Sequence, residues 1–220
     1  MHHTGSSSPA GGLRERKKQA TREALISAAT QLFLRRGLAQ TTIADIAAAA
    51  DVAPRTFFLH FASKEDVLFH YLERYGDTAV DAIAQLRPGA TPQDGVHSAV
   101  LSMIELYDAP EGGADTLAPL RVQLMRDSEG FPASLAARLS ALQKRLLDAL
   151  YSRFPEVAGS ELVATHLGAA CGAVGATAMH RITATPDLTS LDLKEAMLLA
   201  LKRASAGFTD LAETPGETPP

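Results

Sequence analysis

The amino-acid sequence predicts an all-α protein. Aromatic residues make up only 5% of the 220 residues, whereas alanine and leucine are abundant, and such a composition favours helices. Apolar residues recur at the three- and four-residue spacing of amphipathic helices, and no segment alternates with the period of a strand. We therefore expect two helical domains, 13–63 and 64–213, between a disordered leader, 1–12, and a disordered tail, 214–220.

The cysteine content and the apolar runs indicate in which cellular compartment the protein is expected. Cys171 is the one cysteine, so an internal disulfide and a secreted disulfide scaffold are excluded. The N-terminus shows no charged-then-apolar leader of the kind that directs secretion. No apolar run looks long and uncharged enough to span a bilayer, so we expect a cytoplasmic protein with no membrane partner.

The overall charge of −4 conceals an uneven distribution. Residues 1–62 carry eight Lys and Arg against four Asp and Glu, a net charge of about +4, and the rest carries thirteen against twenty-one, about −8. A basic N-terminal third on an acidic body is typical of a protein that presents one end to a polyanion. The alternative is a chance fluctuation in composition.

The segment 41–67, TTIADIAAAADVAPRTFFLHFASKEDV, predicts two short helices joined by a tight turn. Thr42 is a good N-cap for the first helix, and Asp45 can complete a variant of the capping box. Asp51 lies where the chain must break away, and aspartate tolerates the left-handed conformation better than most residues. Pro54 then suits the first turn of a second helix, barely two turns long.

A longer helix should follow directly. Ser63 is placed to cap it, acidic residues fill its first turn, and apolar residues at helical spacing continue to Leu86. We expect this helix, 64–86, to belong to both domains. The two short helices and the turn between them have the layout of a helix-turn-helix, whose second helix enters the DNA major groove.

The residues TTIADIAAAADVAPRTFFLHFASKEDVL resemble the DNA-binding segment of the TetR family of bacterial transcriptional regulators. The likeness covers 22–72 and includes a subgroup pattern of PRTFF, an aromatic HF or YF pair and Ser-Lys-Glu. It implies a three-helix helix-turn-helix DNA-binding domain followed by a larger helical ligand-binding and dimerisation domain. It also implies a homodimeric repressor that binds a pseudo-palindromic operator in double-stranded DNA and is released by a small-molecule effector.

The motif supplies a set of candidate DNA-binding residues. Arg55 lies early in the expected recognition helix, where arginine can pair with guanine; the alternative is a solvated surface side chain. The resemblance implies phosphate contacts for His60 and Lys64. Phe58 stands where the family often has tyrosine, so packing against sugar would replace a hydroxyl contact with phosphate. The full set is Thr42, Pro54, Arg55, Thr56, Phe58, Leu59, His60 and Lys64, with Arg14, Lys17 and Lys18 from the basic run before them.

That basic run has three possible roles. It could follow phosphates along the duplex or enter the minor groove as an arm, and a solvated charge run is the equally plausible alternative.

The body at 119–182 is similar to a TetR subgroup thought to accept acyl-CoA-like ligands. Aromatic compounds, lipophilic drugs and antibiotics are competing ligand classes. The candidate pocket residues are mostly apolar, and each would also fit an ordinary helical core. They are Leu106, Tyr107, Leu120, Leu124, Met125, Phe131, Leu139, Leu142, Cys171, Val174 and Met179.

Three glycines interrupt one expected helix, 160–182. Each costs up to about 1 kcal/mol relative to alanine, and close approach of another backbone is the usual reason for such glycines. The resemblance implies that this helix and the last one, 191–211, close the dimer. The candidate interface residues are Gly168, Gly172, Gly175, Ala176, Met197, Leu201 and Phe208. The alternative is packing within one subunit against the helix at 132–154.

No catalytic residue, metal site or cofactor is expected. The sequence has no nucleophile elbow, P-loop or dinucleotide-binding glycine pattern. His166 and His180 are about 21 Å apart along one expected helix, too far to share a metal ion. The alternative to a DNA-binding regulator is a small-molecule-binding or scaffold protein whose N-terminal domain, the head, has lost DNA binding. Such a degenerate head should not keep Arg55, His60 and Lys64 at the positions of the motif.

Overall fold

A computed structural model describes residues 9–106, 117–127, 133–184 and 190–207. Every regular element in these ranges is helical, which confirms the all-α fold class. The chain forms two compact units that divide after His70, whereas the sequence analysis placed the boundary after Ser63.

From residue 9 onward, the first unit contains three α-helices and one 3₁₀ helix. They are α1 (Pro9–Arg36), α2 (Ile43–Ala49), α3 (Pro54–Phe57) and the 3₁₀ helix Glu65–Phe69. Because α1 begins at Pro9, residues 9–12 of the expected disordered leader are helical, and residues 1–8 lie outside the described ranges.

The core of the first unit forms where α1 packs on α2 and on the phenylalanines that follow. Leu25 and Phe33 of α1 are buried, as the apolar stripe of this helix predicts. Phe57 and Phe61 are also buried, and their ring centroids lie 5.6 Å apart. Helix α1 ends at Arg36, and the next residue, Gly37, has φ +80° and donates its amide to the Phe33 carbonyl over 2.9 Å.

The expected continuous helix 64–86 is wrong, because the chain forms the 3₁₀ helix and then a separate α-helix from Tyr71. The amide of Asp66 donates to Ser63 Oγ over 3.2 Å, as the predicted cap requires. The Asp66 carboxylate in turn accepts from the Ala62 amide over 3.1 Å, and backbone bonds of the i to i+3 type follow, such as that from the Val67 amide to the Lys64 carbonyl. These bonds tighten the segment into a 3₁₀ helix.

The second unit consists of six α-helices and a short 3₁₀ helix within the described ranges. They are α4 (Tyr71–Ala84), α5 (Pro92–Leu106), α6 (Ala118–Asp127), α7 (Ala133–Arg153), the 3₁₀ helix Pro155–Val157, α8 (Glu161–Ala184) and α9 (Ser190–Ala206). Five of these α-helices share one apolar core, which includes Ile83, Val100, Leu146, Leu167 and Leu193.

A glycine sets the closest approach between α5 and α7. A Cβ atom on Gly95 would lie 2.7 Å from Leu150 Cδ2 and 3.0 Å from Phe154 Cε2. A side chain at this position would therefore force Leu150 and Phe154 to shift within a closely packed core, so packing favours glycine here.

In helix α8, the stretch Glu161–Ile182 has the length and apolar composition of a segment that could cross a membrane. The expectation that no run has this character is therefore wrong for this stretch. The same length and composition occur in core helices of soluble proteins. Only 22% of the stretch is buried inside the protomer, so α8 presents much apolar surface outward.

Candidate nucleic-acid interface

The first helix of the helix-turn-helix begins at the predicted capping box. The Thr42 amide donates to Asp45 Oδ2 over 3.0 Å, and the Asp45 amide donates to Thr42 Oγ1 over 3.1 Å. The Thr42 hydroxyl and the Arg36 guanidinium also reach the Asp45 carboxylate, at 2.6 and 2.5 Å. Hydrogen bonds from the Thr42 side chain and amide, followed by the charge of Arg36, lower the pKa of Asp45. The carboxylate thus joins the end of α1 to the first turn of α2.

The tight turn after α2 is a complete Schellman motif. Asp51 has φ +55°, the one positive φ outside glycine among the described residues, as predicted for this position. The Val52 amide donates to the Ala47 carbonyl over 2.9 Å, and the Asp51 amide donates to the Ala48 carbonyl over 3.2 Å. The chain continues from this motif to Pro54, which occupies the first turn of α3 as predicted.

The recognition segment divides its side chains between a buried and an exposed face. Helix α3 itself ends at Phe57, but backbone bonds such as that from the Phe61 amide to the Phe57 carbonyl, 3.0 Å, extend the helical turns. Phe57 and Phe61 are buried, whereas Arg55 is exposed and Phe58 and Leu59 are 58% and 72% exposed. One cation and two large apolar side chains are therefore available to a partner.

His60 lies beside the cations of α1. Its Nδ1 is buried and has no hydrogen-bond partner among the described residues. Burial, then the charges of Arg22 and Lys18, lower the pKa of His60. Arg22 also stacks on Phe61, with its guanidinium carbon 4.9 Å from the ring centroid. Arg22 ends the basic run that the sequence offers for phosphate contacts, although it is not in the predicted set, and its spacing of four residues from Lys18 places both on one face of a helix.

The basic residues Arg14, Lys17 and Lys18 are exposed on the first turns of α1. They lie on a helix, so the described structure gives no support to a flexible minor-groove arm formed by these residues. Arg14, Lys18 and Arg22 follow one another at four-residue spacing and form a basic stripe on α1.

Lys64 has a different environment from the one that the resemblance implies. Its ammonium donates to the carbonyls of Leu38 at 2.8 Å, Thr41 at 3.0 Å and Ala39 at 3.5 Å. These carbonyls belong to the turn between α1 and α2. The sequence analysis could not find this contact, because the partners are more than twenty residues away in the chain.

The second unit has a groove of about 640 Å³ that differs from the predicted ligand pocket. It lies between the C-terminal end of α4 and α5 and includes the polar side chains Arg87, Asp94, His97 and Glu105. None of the predicted pocket residues that the structure describes lines it.

Three of the described pocket residues, Leu142, Cys171 and Val174, instead pack against the helical core, whereas Leu139 is exposed. Leu142 packs on α4, where a Cβ on Gly76 would be 3.0 Å from its Cδ1. Val174 packs at the margin of the core, and Cys171 is part-buried, with burial raising the pKa of its thiol to about 11. Two members of the predicted set lie outside the described residues: Tyr107 and Phe131.

A buried arginine in α6 was missed by the sequence analysis. Arg121 is 7% exposed, and its guanidinium carbon lies 4.5 Å from the ring centroid of Tyr71. A cation over an aromatic ring gains up to about 2 kcal/mol when it is desolvated. The contact fixes α6 against the first residue of α4.

The predicted dimer residues fall into two groups. Gly172 and Gly175 are exposed, and a Cβ on either would meet no described residue within 4 Å, whereas a Cβ on Gly168 would lie 3.4 Å from Gln143 Nε2. Met197 and Leu201 are buried in the protomer core, so their placement at an interface is corrected. Three leucines that are not in the predicted set are exposed on α8 and α9: Leu162, Leu191 and Leu199. One predicted residue, Phe208, lies outside the described residues.

Residues 25–71 match the bacterial regulatory proteins of the tetR family. The chain is 41% identical over 138 residues to the HTH-type transcriptional regulator TcmR of Streptomyces glaucescens. That alignment covers 60% of this chain and 59% of TcmR, so the chain spans about three-fifths of the length of this relative.

Two solved structures share the fold at low sequence identity. FadR of Thermus thermophilus, a TetR-family transcriptional repressor in complex with lauroyl-CoA, has a TM-score of 0.56 and 22% identity, covering 90% of this chain and 100% of FadR. SmeT, the repressor of the Stenotrophomonas maltophilia multidrug efflux pump SmeDEF, has a TM-score of 0.52 and 22% identity, covering 92% and 98%. SmeT has also been solved in complex with triclosan. The segment 25–71 is thus similar to bacterial regulatory proteins of the tetR family, and the chain shares its all-helical fold with FadR and SmeT.

Proposed function

We propose that this protein is a DNA-binding transcriptional regulator. The observation that carries the proposal is the exposed face of the recognition segment, which carries Arg55, Phe58 and Leu59, while Phe57 and Phe61 of the same segment are buried. An arginine can read guanine, and apolar side chains suit thymine methyl groups and sugars. The basic stripe on α1 supplies cations for the phosphates on either side.

Selection of genomic DNA fragments by the purified protein tests this function. We expect enrichment of one pseudo-palindromic sequence, because two identical heads read two half-sites. An Arg55→Ala protein serves as the matched control and should enrich that sequence less. Recovery of no preferred fragment by the wild-type protein would favour the alternative, a ligand-binding or scaffold protein with a degenerate head.

We further propose that the regulator is a homodimer closed through α8. Gly172, Gly175 and Ala176 form an exposed, low-relief surface on an apolar helix that is mostly unburied in the protomer. A two-fold interface places such a surface against its own copy, and small side chains let the two helices approach closely. The exposed Leu162 and Leu199 extend the apolar area of α8 and α9.

The effector is proposed to be a small lipophilic or acyl-CoA-like molecule that releases a repressor from its operator. Support comes from the largely apolar helical body and from the fold shared with FadR and SmeT, which have been solved with lauroyl-CoA and triclosan. Release requires the effector to bind more tightly to a state whose head spacing misfits DNA. Such a regulator acts in the cytoplasm.

Competition experiments test the effector. Lauroyl-CoA, free laurate and triclosan are titrated into the protein–operator complex, and release by lauroyl-CoA alone would assign the acyl-CoA class. Release by triclosan alone would assign a lipophilic drug-like effector instead. Tight binding of a compound without loss of operator affinity would show that it does not discriminate the two states.

A further inference from the structure

The turn between α1 and α2 leaves backbone carbonyls without helical partners. Helix α1 ends at Arg36, and its C-terminal end carries partial negative charge from unpaired carbonyl groups. The chain then passes through Leu38, Ala39 and Thr41 before the N-cap of α2 at Thr42. Thr41 is fully buried, so its carbonyl requires a partner within the protein.

Lys64 is the hydrogen-bond partner of the Thr41 carbonyl and of two further carbonyls in the turn. Its half-buried side chain donates to Leu38 O at 2.8 Å, Thr41 O at 3.0 Å and Ala39 O at 3.5 Å. An ammonium group has three donors, so all three are directed at this turn. A phosphate contact by the same ammonium would have to replace at least one of these bonds.

Other bonds connect this turn to both neighbouring helices. The Thr41 hydroxyl donates to the Gly37 carbonyl at 2.8 Å, and the next residue, Thr42, forms the capping box with Asp45. Arg36, the last residue of α1, pairs with the same Asp45 carboxylate. The position of α2 relative to α1 therefore depends on a turn that is held from the far side by Lys64.

We propose that Lys64 is a positioning residue for the helix-turn-helix, which fixes the turn between α1 and α2 rather than binding a DNA phosphate. The inference rests on the proposed DNA-binding function and assigns Lys64 a different role from the basic residues of α1. Lys64 contributes to operator affinity because it holds α2, and through the Schellman turn α3, in the orientation that fits DNA.

Two substitutions separate the roles in operator-binding measurements over a range of salt concentrations. Lys64→Arg keeps the positive charge, but a planar guanidinium cannot direct its donors at three carbonyls as an ammonium does. We expect Lys64→Arg and Lys64→Met each to weaken binding about tenfold, the effect of losing roughly one charged hydrogen bond, with an unchanged salt slope. The control, Lys18→Met, should make the slope shallower by about 0.9 per subunit.

Amide hydrogen exchange in the free protein tests the same role without DNA. Residues 41–45 should exchange about tenfold faster in Lys64→Arg than in the wild-type protein, and at the wild-type rate in Lys18→Met. A Lys64→Arg protein with wild-type affinity and wild-type exchange would overturn the proposal. So would a Lys64→Met protein whose salt slope falls as in Lys18→Met. Absence of operator binding by the wild-type protein would refute the proposed function, while the exchange measurement would still decide the role of Lys64.

Discussion

The amide of Val52 donates to the carbonyl of Ala47 over 2.9 Å and closes α2 around Asp51, whose φ is +55°. Left-handed backbone disfavours β-branched side chains most and glycine least. We expect Asp51→Val to lower the free energy of unfolding by about 1–2 kcal/mol. Asp51→Gly is the matched control and should be as stable as the wild-type protein or up to about 1 kcal/mol more stable. Urea denaturation measures both, and an Asp51→Val protein of wild-type stability would show that the turn relaxes freely.

Arg55 is expected to read a base. Arg55→Ala should cost about 1–3 kcal/mol at the preferred operator and relax the preference at one position of each half-site. Arg55→Lys keeps the charge and loses the bidentate geometry, so it should lose the preference while retaining more non-specific affinity. Binding to a library of single-base operator variants provides the measurement. An unchanged preferred site in both variants would show that Arg55 is a solvated surface residue.

Operator binding should weaken steeply as salt concentration rises. Arg14, Lys17, Lys18 and His60 offer several phosphate contacts in each subunit, and each contact adds about −0.9 to the log–log slope. We expect a slope steeper than about −4 for the dimer. Replacing Arg14, Lys17 and Lys18 with glutamine should make the slope shallower without altering the preferred sequence. A nearly flat salt response of the wild-type protein would contradict the phosphate assignment.

The pH dependence of operator binding should show whether His60 contacts a DNA phosphate. Burial, Arg22 and Lys18 lower its pKa below 6.5 in the free protein, so the neutral ring stabilises the fold above that pH. This stabilisation is lost as the pH falls from the unfolded-state pKa towards the folded-state value. A nearby DNA phosphate favours the charged ring and raises the pKa in the complex, so binding takes up a proton.

Operator affinity should therefore increase as the pH falls from about 8 to about 6, the range around the ordinary histidine pKa. The matched control, His60→Gln, keeps a hydrogen-bonding side chain that does not titrate and should flatten the profile. Thermal melting of the free proteins at the same pH values separates loss of the fold from loss of binding. An equal pH dependence in both proteins would assign the effect to another group.

Local chemistry made much of the DNA-binding unit predictable. The cap at Thr42, the left-handed Asp51 and the helical start at Pro54 depend on residues within a few positions, and the structure confirms each. Contacts made across the fold were not predictable in this way. The hydrogen-bond partners of Lys64 lie in the turn between α1 and α2. Met197 was predicted to lie at the dimer interface, but this face of α9 packs into the core of its own subunit. Helical periodicity identifies an apolar face but does not say which neighbour covers it.

The dimer prediction depends on how little surrounds Gly172 in the protomer. A Cβ at this position would meet nothing within 4 Å in the part of the chain that the structure describes, so we expect a larger side chain to be tolerated unless a second subunit covers it. If two copies of α8 meet there, Gly172→Leu overpacks a contact that occurs twice by symmetry, at about 1–3 kcal/mol for each. We expect a shift towards monomer and loss of operator binding, because a single head makes too few contacts.

Gly76→Ala provides the contrasting control. Its Cβ would lie 3.0 Å from Leu142 Cδ1 inside one protomer, so it should lower the melting temperature and leave the dimer intact. Sedimentation measures the oligomeric state of both variants, and thermal melting measures their stability. A Gly172→Leu protein that is folded and fully dimeric would remove this face of α8 from the interface. The exposed leucines Leu162, Leu191 and Leu199 would then be the next positions to substitute, because they are large apolar side chains left uncovered on α8 and α9.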